Sequence, residues 1–215
     1  MKDNFLKRFL SSLILLAIFF FIIIVEKVFF IIFIIFLFII SIYEWNNLVK
    51  NKLLKLFGFI FLFFSYFTVQ EIRNIDTHHT FFIFIISICV GSDLGGYIFG
   101  KLLGGPKLTK ISPNKTYSGF IGGIICAILL GYLSVFISCL SLFNCLSHNS
   151  NLLLIIIFLS IISQIGDLII SFFKRKANLN DTGKIIPGHG GLLDRIDGMI
   201  FVFPIFYLFV INNLN

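Results

Sequence analysis

Long apolar runs separated by short polar segments dominate the chain. Each run holds about 16 to 25 residues, the length that an α-helix needs to cross a bilayer. The connecting segments are rich in charged residues, glycine, proline and asparagine, as expected outside the hydrocarbon. The pattern predicts an all-α, polytopic transmembrane helix bundle of about seven spans, at residues 9–25, 28–43, 54–70, 80–100, 119–143, 152–173 and 198–212.

Composition supports the same fold class. Of 215 residues, 58% are hydrophobic and only 13% are charged, which excludes an ordinary soluble domain. The net charge of +7 could indicate nucleic acid as a partner, but the basic residues lie beside apolar runs rather than in a separate basic domain. We therefore expect membrane lipids, and no nucleic acid, as partners.

The distribution of basic residues predicts the orientation. With the N-terminus in the cytoplasm, 15 of the 17 Lys and Arg residues fall on the cytoplasmic side, as the positive-inside rule requires. The two motif-rich loops, 101–118 and 174–197, then share that side. We expect an inner (cytoplasmic) membrane protein with N-terminal helices over 1–90 and a catalytic region over 91–215, its active site facing the cytoplasm.

The sixth run carries a polar stripe. Ser163, Asp167, Ser171 and Lys174 recur at i, i+4, i+8 and i+11, so they share one helix face, with Gln164 beside them. Serine and glutamine are common between packed membrane helices. A carboxylate within a span needs a cation or a proton, so Asp167 is a candidate functional residue.

A glycine-rich turn follows that run. Gly188, Gly190 and Gly191 allow the backbone to approach a ligand closely, and a helix starting near Leu192 would direct its first N–H groups toward a phosphate. His189 lies within the same turn.

Acids and bases surround the turn. Asp194 and Asp197 follow it at i and i+3, and Asp194 with Asp167 could share Mg²⁺, which prefers carboxylate oxygens. Lys174, Arg175 and Arg195 are candidate counter-charges for phosphates. An anchor at the end of the span explains Lys176 adequately.

The loop between the fourth and fifth runs carries a second group of candidates. Asp93 ends an apolar run, and Gly96, Gly100 and Gly104 repeat at a spacing that permits close helix approach. The polar turn 112–116 could hold a phosphate or a base. An ordinary connecting loop explains its composition nearly as well.

These motifs resemble the phosphatidate cytidylyltransferase family, also called CDP-diacylglycerol synthase. The family pattern is a serine, Lys-Arg, an acid, and a Pro-x-His-Gly-Gly-x-x-Asp-Arg-x-Asp run. In this chain it appears as Ser171, Lys174-Arg175, Asp181, Pro187, His189-Gly190-Gly191, Asp194-Arg195 and Asp197. The stretch from Ser163 to Leu168 and the loop from Asp93 to Gly123 match as well.

The resemblance implies a reaction of CTP with phosphatidic acid that gives CDP-diacylglycerol and pyrophosphate. It implies Mg²⁺ at Asp167 and Asp194, as one metal ion or two, of which one could be monovalent. It leaves a homodimer open. The implied catalytic residues are Asp167, Asp194, Lys174, Arg175, His189, Arg195 and Asp197. The implied substrate-binding residues are Asp93, Ser112, Lys115, Thr116, Ser171, Gly190 and Gly191.

The chain departs from the family pattern at two positions. A lysine is usual at Asn180, and an acidic or amide residue is usual at Ser118. We also expect the N-terminal helices, over 1–90, to be reduced relative to the family.

Other functions remain open at this stage. Intramembrane acids also suit an ion-coupled transporter, but the chain shows no internal repeat, and its polar residues gather at one surface. Another CTP-dependent lipid kinase would share the membrane bundle but not the intact run from His189 to Asp197. A structural scaffold would tolerate the loss of Asp167 or Asp194.

Overall fold

The computed structural model describes residues 27–75, 79–109, 112, 115–137, 151–183, 185 and 190–214. The described residues form seven helices. They are α1 Lys27–Leu48, α2 Lys52–Ile75, α3 Thr80–Leu103, α4 Tyr117–Ile137, α5 Leu152–Lys176, α6 Leu193–Ile196 and α7 Met199–Leu214.

Five of these helices are long and apolar enough to cross a membrane. Helices α1 to α5 have 21 to 25 residues and mean hydropathies between 1.7 and 2.6. They confirm the second to sixth predicted spans, with ends shifted by a few residues. The last predicted span corresponds to the shorter α7, and the first, 9–25, lies outside the described residues. The chain is an all-α integral membrane protein.

Large apolar side chains remain exposed along the spans. Phe57, Phe63, Leu129 and Phe136 are each more than half exposed. Exposed apolar surface of this extent indicates contact with another apolar phase, which for helices of this length is lipid.

The chain divides into two compact units. Unit 1 comprises Met1–Tyr66 and Phe173–Ile196, and unit 2 comprises Phe67–Phe172 and Asp197–Asn215.

Aromatic packing joins α1 to α2 in unit 1. The ring of Phe38 contacts those of Phe59, Phe63 and Tyr66 at centroid distances of 5.4 to 6.1 Å. The hydroxyl groups of Ser41 and Tyr66 are hydrogen-bonded at 2.7 Å. Glu44 follows Ser41 by three residues on α1.

Close packing of α3 against α4 dominates unit 2. A Cβ atom at Gly95 would overlap the backbone carbonyl of Gly122, and one at Gly119 would lie 2.7 Å from the carbonyl oxygen of Gly96. The predicted close helix approach is confirmed at Gly96 and Gly100. It is wrong at Gly104, which has no atom within 4 Å of a built Cβ and instead ends α3 with a φ of +59°.

Candidate functional site

The last turn of α5 contributes a buried ion pair to unit 1. The Lys174 ammonium donates to Asp194 Oδ1 at 2.7 Å, and the two side chains are 14% and 8% exposed. Both residues were predicted to be functional. The lysine was expected to contact phosphate, whereas its described partner is the acid.

The second oxygen of Asp194 is surrounded by donors from the same loop. The N–H groups of Thr182 and Gly191 donate to Oδ2 at 2.8 and 3.0 Å, and the Thr182 hydroxyl lies 3.1 Å away. Gly190 has a φ of +85°, and a Cβ there would lie 3.1 Å from both Asp181 and Asp194. The loop therefore needs glycine at this position.

Glu44, near the end of α1, completes this loop, and sequence reasoning missed it. The side chain is 1% exposed. Its Oε1 accepts the N–H of Leu192 at 2.8 Å, and its Oε2 accepts the N–H of Leu193 and the hydroxyl of Thr182, both at 2.8 Å. An available signal was the acid itself, since Glu44 directly follows the apolar run 28–43.

The Glu44 contacts correct one prediction. The first N–H groups of the helix that begins at Leu193 were expected to face a phosphate. They donate to Glu44 instead, and the N–H of Gly191 donates to Asp194. The backbone of the glycine turn therefore binds carboxylates of the protein itself at these positions.

The departure at Asn180 also has a structural role. Its side-chain oxygen accepts a hydrogen bond of 2.8 Å from the guanidinium of Arg175. Both side chains are exposed, as is that of Arg195. A lysine, which the resemblance led us to expect at position 180, could not accept this bond.

Unit 2 contains a second lysine–aspartate pair. The Lys115 ammonium donates to Asp167 Oδ2 at 2.9 Å, and the side chains are 30% and 19% exposed. The loop before α4 positions this lysine, because Leu108 N–H donates to the Lys115 carbonyl and Lys107 pairs with Thr116 in an isolated antiparallel bridge. The structure thus brings together two residues that were predicted separately.

Thr116 and Ser118 have structural roles at the start of α4. The Thr116 hydroxyl accepts the N–H of Gly119 at 3.1 Å, which makes Thr116 the N-cap of the helix. Its hydroxyl is also hydrogen-bonded to that of Ser118, which donates in turn to the carbonyl of Gly104. The predicted substrate contact at Thr116 stays a prediction.

Three of the predicted acids share one region of unit 2, because Asp93, Asp167 and Asp197 all interact electrostatically with Cys89. The other predicted residues have local contacts. Asp93 is exposed on α3, and Ser171 is half-buried on α5. Asp197 Oδ1 accepts the N–H of Gly198 at 3.1 Å, and the N–H of Ser112 donates to a threonine hydroxyl in its own turn. His189 lies outside the described residues.

The expected polar contact between packed helices is confirmed at Gln164, whereas the buried Ser163 hydroxyl has no hydrogen-bond partner among the described residues. The Gln164 amide donates to the carbonyl of Phe120 at 3.3 Å, linking α5 to α4.

The two predicted metal ligands differ in how many hydrogen-bond donors their carboxylate oxygens already meet. In the described ranges, Asp194 Oδ2 accepts two backbone N–H groups and lies 3.1 Å from the Thr182 hydroxyl oxygen, whereas Asp194 Oδ1 meets only Lys174 and Asp167 Oδ1 accepts no hydrogen bond. One oxygen of each acid is thus chemically suited to Mg²⁺. No cluster of three or more His, Cys, Asp or Glu side chains occurs among the described residues. Asp167 belongs to unit 2 and Asp194 to unit 1, and their sharing of an ion stays a prediction.

Unit 1 also holds a cavity of about 280 Å³ at the α1–α2 connection. Its lining residues are the apolar Leu48, Val49, Leu54, Phe173 and Ala177, the polar Asn51 and the cationic residues Lys50 and Lys176. A cavity with apolar walls and cationic groups suits a ligand that is part lipid and part anion.

Residues 51–212, which include both ion pairs, match the model of the cytidylyltransferase family. The chain belongs to this family. The resemblance recognised from the motifs is therefore confirmed.

Similar curated proteins carry a more specific name. The chain is 43% identical over 151 residues to the phosphatidate cytidylyltransferase of Bacillus subtilis, covering 69% of this chain and 54% of that protein. It is 41% identical over 153 residues to that of Staphylococcus haemolyticus, with coverages of 69% and 54%. It is 38% identical over 160 residues to the phosphatidate cytidylyltransferase of Staphylococcus aureus, covering 73% of this chain and 56% of that protein. The chain spans about half the length of the curated relatives it matches.

Proposed function

We propose that the protein is a phosphatidate cytidylyltransferase. A phosphate oxygen of phosphatidate would form a bond to the α-phosphorus of CTP, and the bond from that phosphorus to the bridging oxygen of pyrophosphate would break. The products are CDP-diacylglycerol and pyrophosphate. The observation that carries the proposal is the fixed pair of Lys174 and Asp194, which lies within the region that matches the cytidylyltransferase family model.

The reaction needs charge neutralisation more than proton transfer. The attacking phosphate is already an anion, so the difficulty lies in bringing two polyanions together and stabilising an in-line displacement. Lys115 and Lys174 suit this task because a carboxylate fixes the position of each ammonium. Arg175 and Arg195 are exposed guanidinium groups that would bind phosphate oxygens.

Asp167 and Asp194 would hold Mg²⁺ through the oxygens described above. A bound Mg²⁺ supplies positive charge at the phosphates of the nucleotide. In the proposal Asp197 supports this site, and His189, Gly190 and Gly191 line the turn beside the phosphates. Whether one ion or two bind stays open to measurement.

The membrane would supply the second substrate. The acyl chains of phosphatidate would stay in the bilayer while its headgroup meets CTP at the cytoplasmic surface of the inner membrane. Lys50 and Lys176, at the cavity in unit 1, could bind the lipid phosphate while the apolar lining contacts the glycerol backbone and upper acyl chains. Asp93, Ser112, Thr116 and Ser171 remain candidate substrate contacts.

The test is direct synthesis by the purified full chain in nanodiscs with Mg²⁺, labelled CTP and phosphatidate. We expect labelled CDP-diacylglycerol and one pyrophosphate for each product. Asp167→Asn and Asp194→Asn should each lower kcat by about a thousandfold or more. Glu71→Gln, an acid on α2 that bonds only to Asn74 among the described residues, is the matched control and should retain activity.

Three outcomes would contradict the proposal. Transfer of phosphate to a polyprenol would indicate a lipid kinase, and cation flux in liposomes without CTP would indicate a transporter. Full activity of both Asp variants would leave the acids without a catalytic role. Light scattering of the same preparation measures whether the protein forms a homodimer, which the resemblance leaves open.

A further inference from the structure

Glu44 is separated from the predicted catalytic motifs by more than 100 residues, yet it contacts their loop directly. Its two oxygens accept three hydrogen bonds of 2.8 Å, from the Thr182 hydroxyl and from the N–H groups of Leu192 and Leu193. The side chain is almost fully buried. A buried carboxylate with three short bonds holds Thr182, Leu192 and Leu193 in a fixed arrangement.

The contacts pass from Glu44 to Asp194 by two short routes. The first runs through Thr182, whose hydroxyl lies 2.8 Å from Glu44 and whose N–H donates to Asp194 at 2.8 Å. The second runs along the backbone from Leu192 and Leu193, which directly precede Asp194. Glu44 thus fixes both sides of the aspartate that the proposed function uses.

The carboxylate suits this position better than an amide would. Three donors converge on two oxygens, and each oxygen receives at least one of them. A glutamine would place an NH₂ group against at least one donor, because it has only one acceptor atom. Neighbouring glycines leave space for the acid, since a Cβ at Gly183 or Gly191 would lie 2.6 or 2.7 Å from its oxygens.

We propose that Glu44 is a positioning residue for the catalytic loop, acting through Thr182 and the 191–193 backbone on Asp194. The inference rests on the proposed function for its effect on turnover. Its structural part, the ordering of the loop by Glu44, can be measured without activity.

The experiment compares Glu44→Gln with Ser41→Ala in the full chain. Ser41 is a matched control, because it is a buried polar residue one helical turn away whose side chain bonds to Leu37 and Tyr66 rather than to the loop. Hydrogen exchange of peptides covering 190–196 should be about tenfold faster in Glu44→Gln. It should be unchanged in Ser41→Ala.

Turnover provides the second measurement. A catalytic group displaced by about 1 Å can cost about 100-fold in rate, so we expect a loss of this size in kcat for Glu44→Gln, with a smaller change in KM for CTP. Ser41→Ala should keep its kcat. Unchanged exchange in Glu44→Gln, or equal effects of both substitutions on exchange and kcat, would overturn the inference.

Thr182 gives a second test if Glu44→Gln does not fold. Thr182→Val removes the hydroxyl and keeps the N–H, whereas Thr182→Ser keeps both. We expect faster exchange and lower kcat in the valine variant and recovery of most of both in the serine variant. Equal behaviour of the two variants would overturn the inference. If the unmodified protein makes no CDP-diacylglycerol, the proposed function fails, while the exchange data still decide the role of Glu44.

Discussion

The two lysine–aspartate pairs differ in how firmly the protein holds the acid. In unit 1, Asp194 is 8% exposed and accepts hydrogen bonds from Lys174 and from two backbone N–H groups of its own loop. In unit 2, Asp167 is 19% exposed, and Lys115 is its one hydrogen-bond donor among the described residues. The same pair of residue types therefore serves as a structural anchor in one unit and as a more accessible charge in the other.

The difference shows that the ion pairing of a carboxylate and its accessibility to a ligand are separate properties. Substituting an acid that is surrounded by donors strongly destabilises the folded protein, whatever the catalytic role of that acid. Substituting an acid that has one partner can abolish activity while the protein keeps most of its stability. Measuring both quantities separates the two kinds of site.

The largest expected effect is the difference in protein stability between variants of the two acids. Asp194→Asn should lower the free energy of unfolding by about 3 kcal/mol or more, because it leaves Lys174 as an unpaired charge at a nearly buried site. Asp167→Asn should cost below about 1 kcal/mol, since its pair is partly exposed. Denaturation of both variants in the same detergent measures the difference. Equal losses of unfolding free energy would show that the two ion pairs contribute equally to stability.

A second prediction tests the helix packing in unit 2 that supports the loop of Lys115. Gly95→Ala should cost about 2 kcal/mol, because the new methyl group would overlap the backbone of α4 at Gly122. The neighbouring Gly96→Ala is the control, since its nearest atom would be 3.8 Å away. Thermal unfolding compares the two variants. A tolerated Gly95→Ala would mean that α3 and α4 can separate without loss.

The smallest expected effect concerns Arg175 in unit 1. Asn180→Lys removes the acceptor that holds the guanidinium and adds a second positive charge beside it. If Arg175 binds a CTP phosphate, its release should lower KM for CTP by about twofold to fivefold, the range that an exposed charged contact provides. Asn180→Ala, which releases Arg175 without a new charge, separates the two causes. A higher KM in both variants would show that the bond to Asn180 aids binding.

Much of this architecture could be predicted from local patterns. Apolar runs predicted α1 to α5 because hydrocarbon leaves few alternatives to a helix of spanning length. Their ends were less accurate. Helix α5 continues to Lys176, three residues past the predicted end, because cationic side chains stabilise the last turn of a helix.

The contacts between distant segments could not be predicted from the sequence. The acids and lysines of both pairs were recognised, but their pairing across 20 and 52 residues depends on the fold. Glu44 was overlooked for the same reason, since its partners lie 138 to 149 residues away. Applying the rule used for Asp167 to every acid at the end of an apolar run would have identified it.

The separation between Glu44 and Thr182 affects how the protein is made. At about 5 to 20 residues per second, a ribosome needs roughly 7 to 28 seconds to add the 138 residues between them. During that interval the nascent helix carries a carboxylate whose partners do not yet exist, and such a group stays ionised only where water or a cation reaches it. An ionised Glu44 therefore favours a position at the membrane surface until residues 182–193 are synthesised, and the order of translation sets when this loop can form.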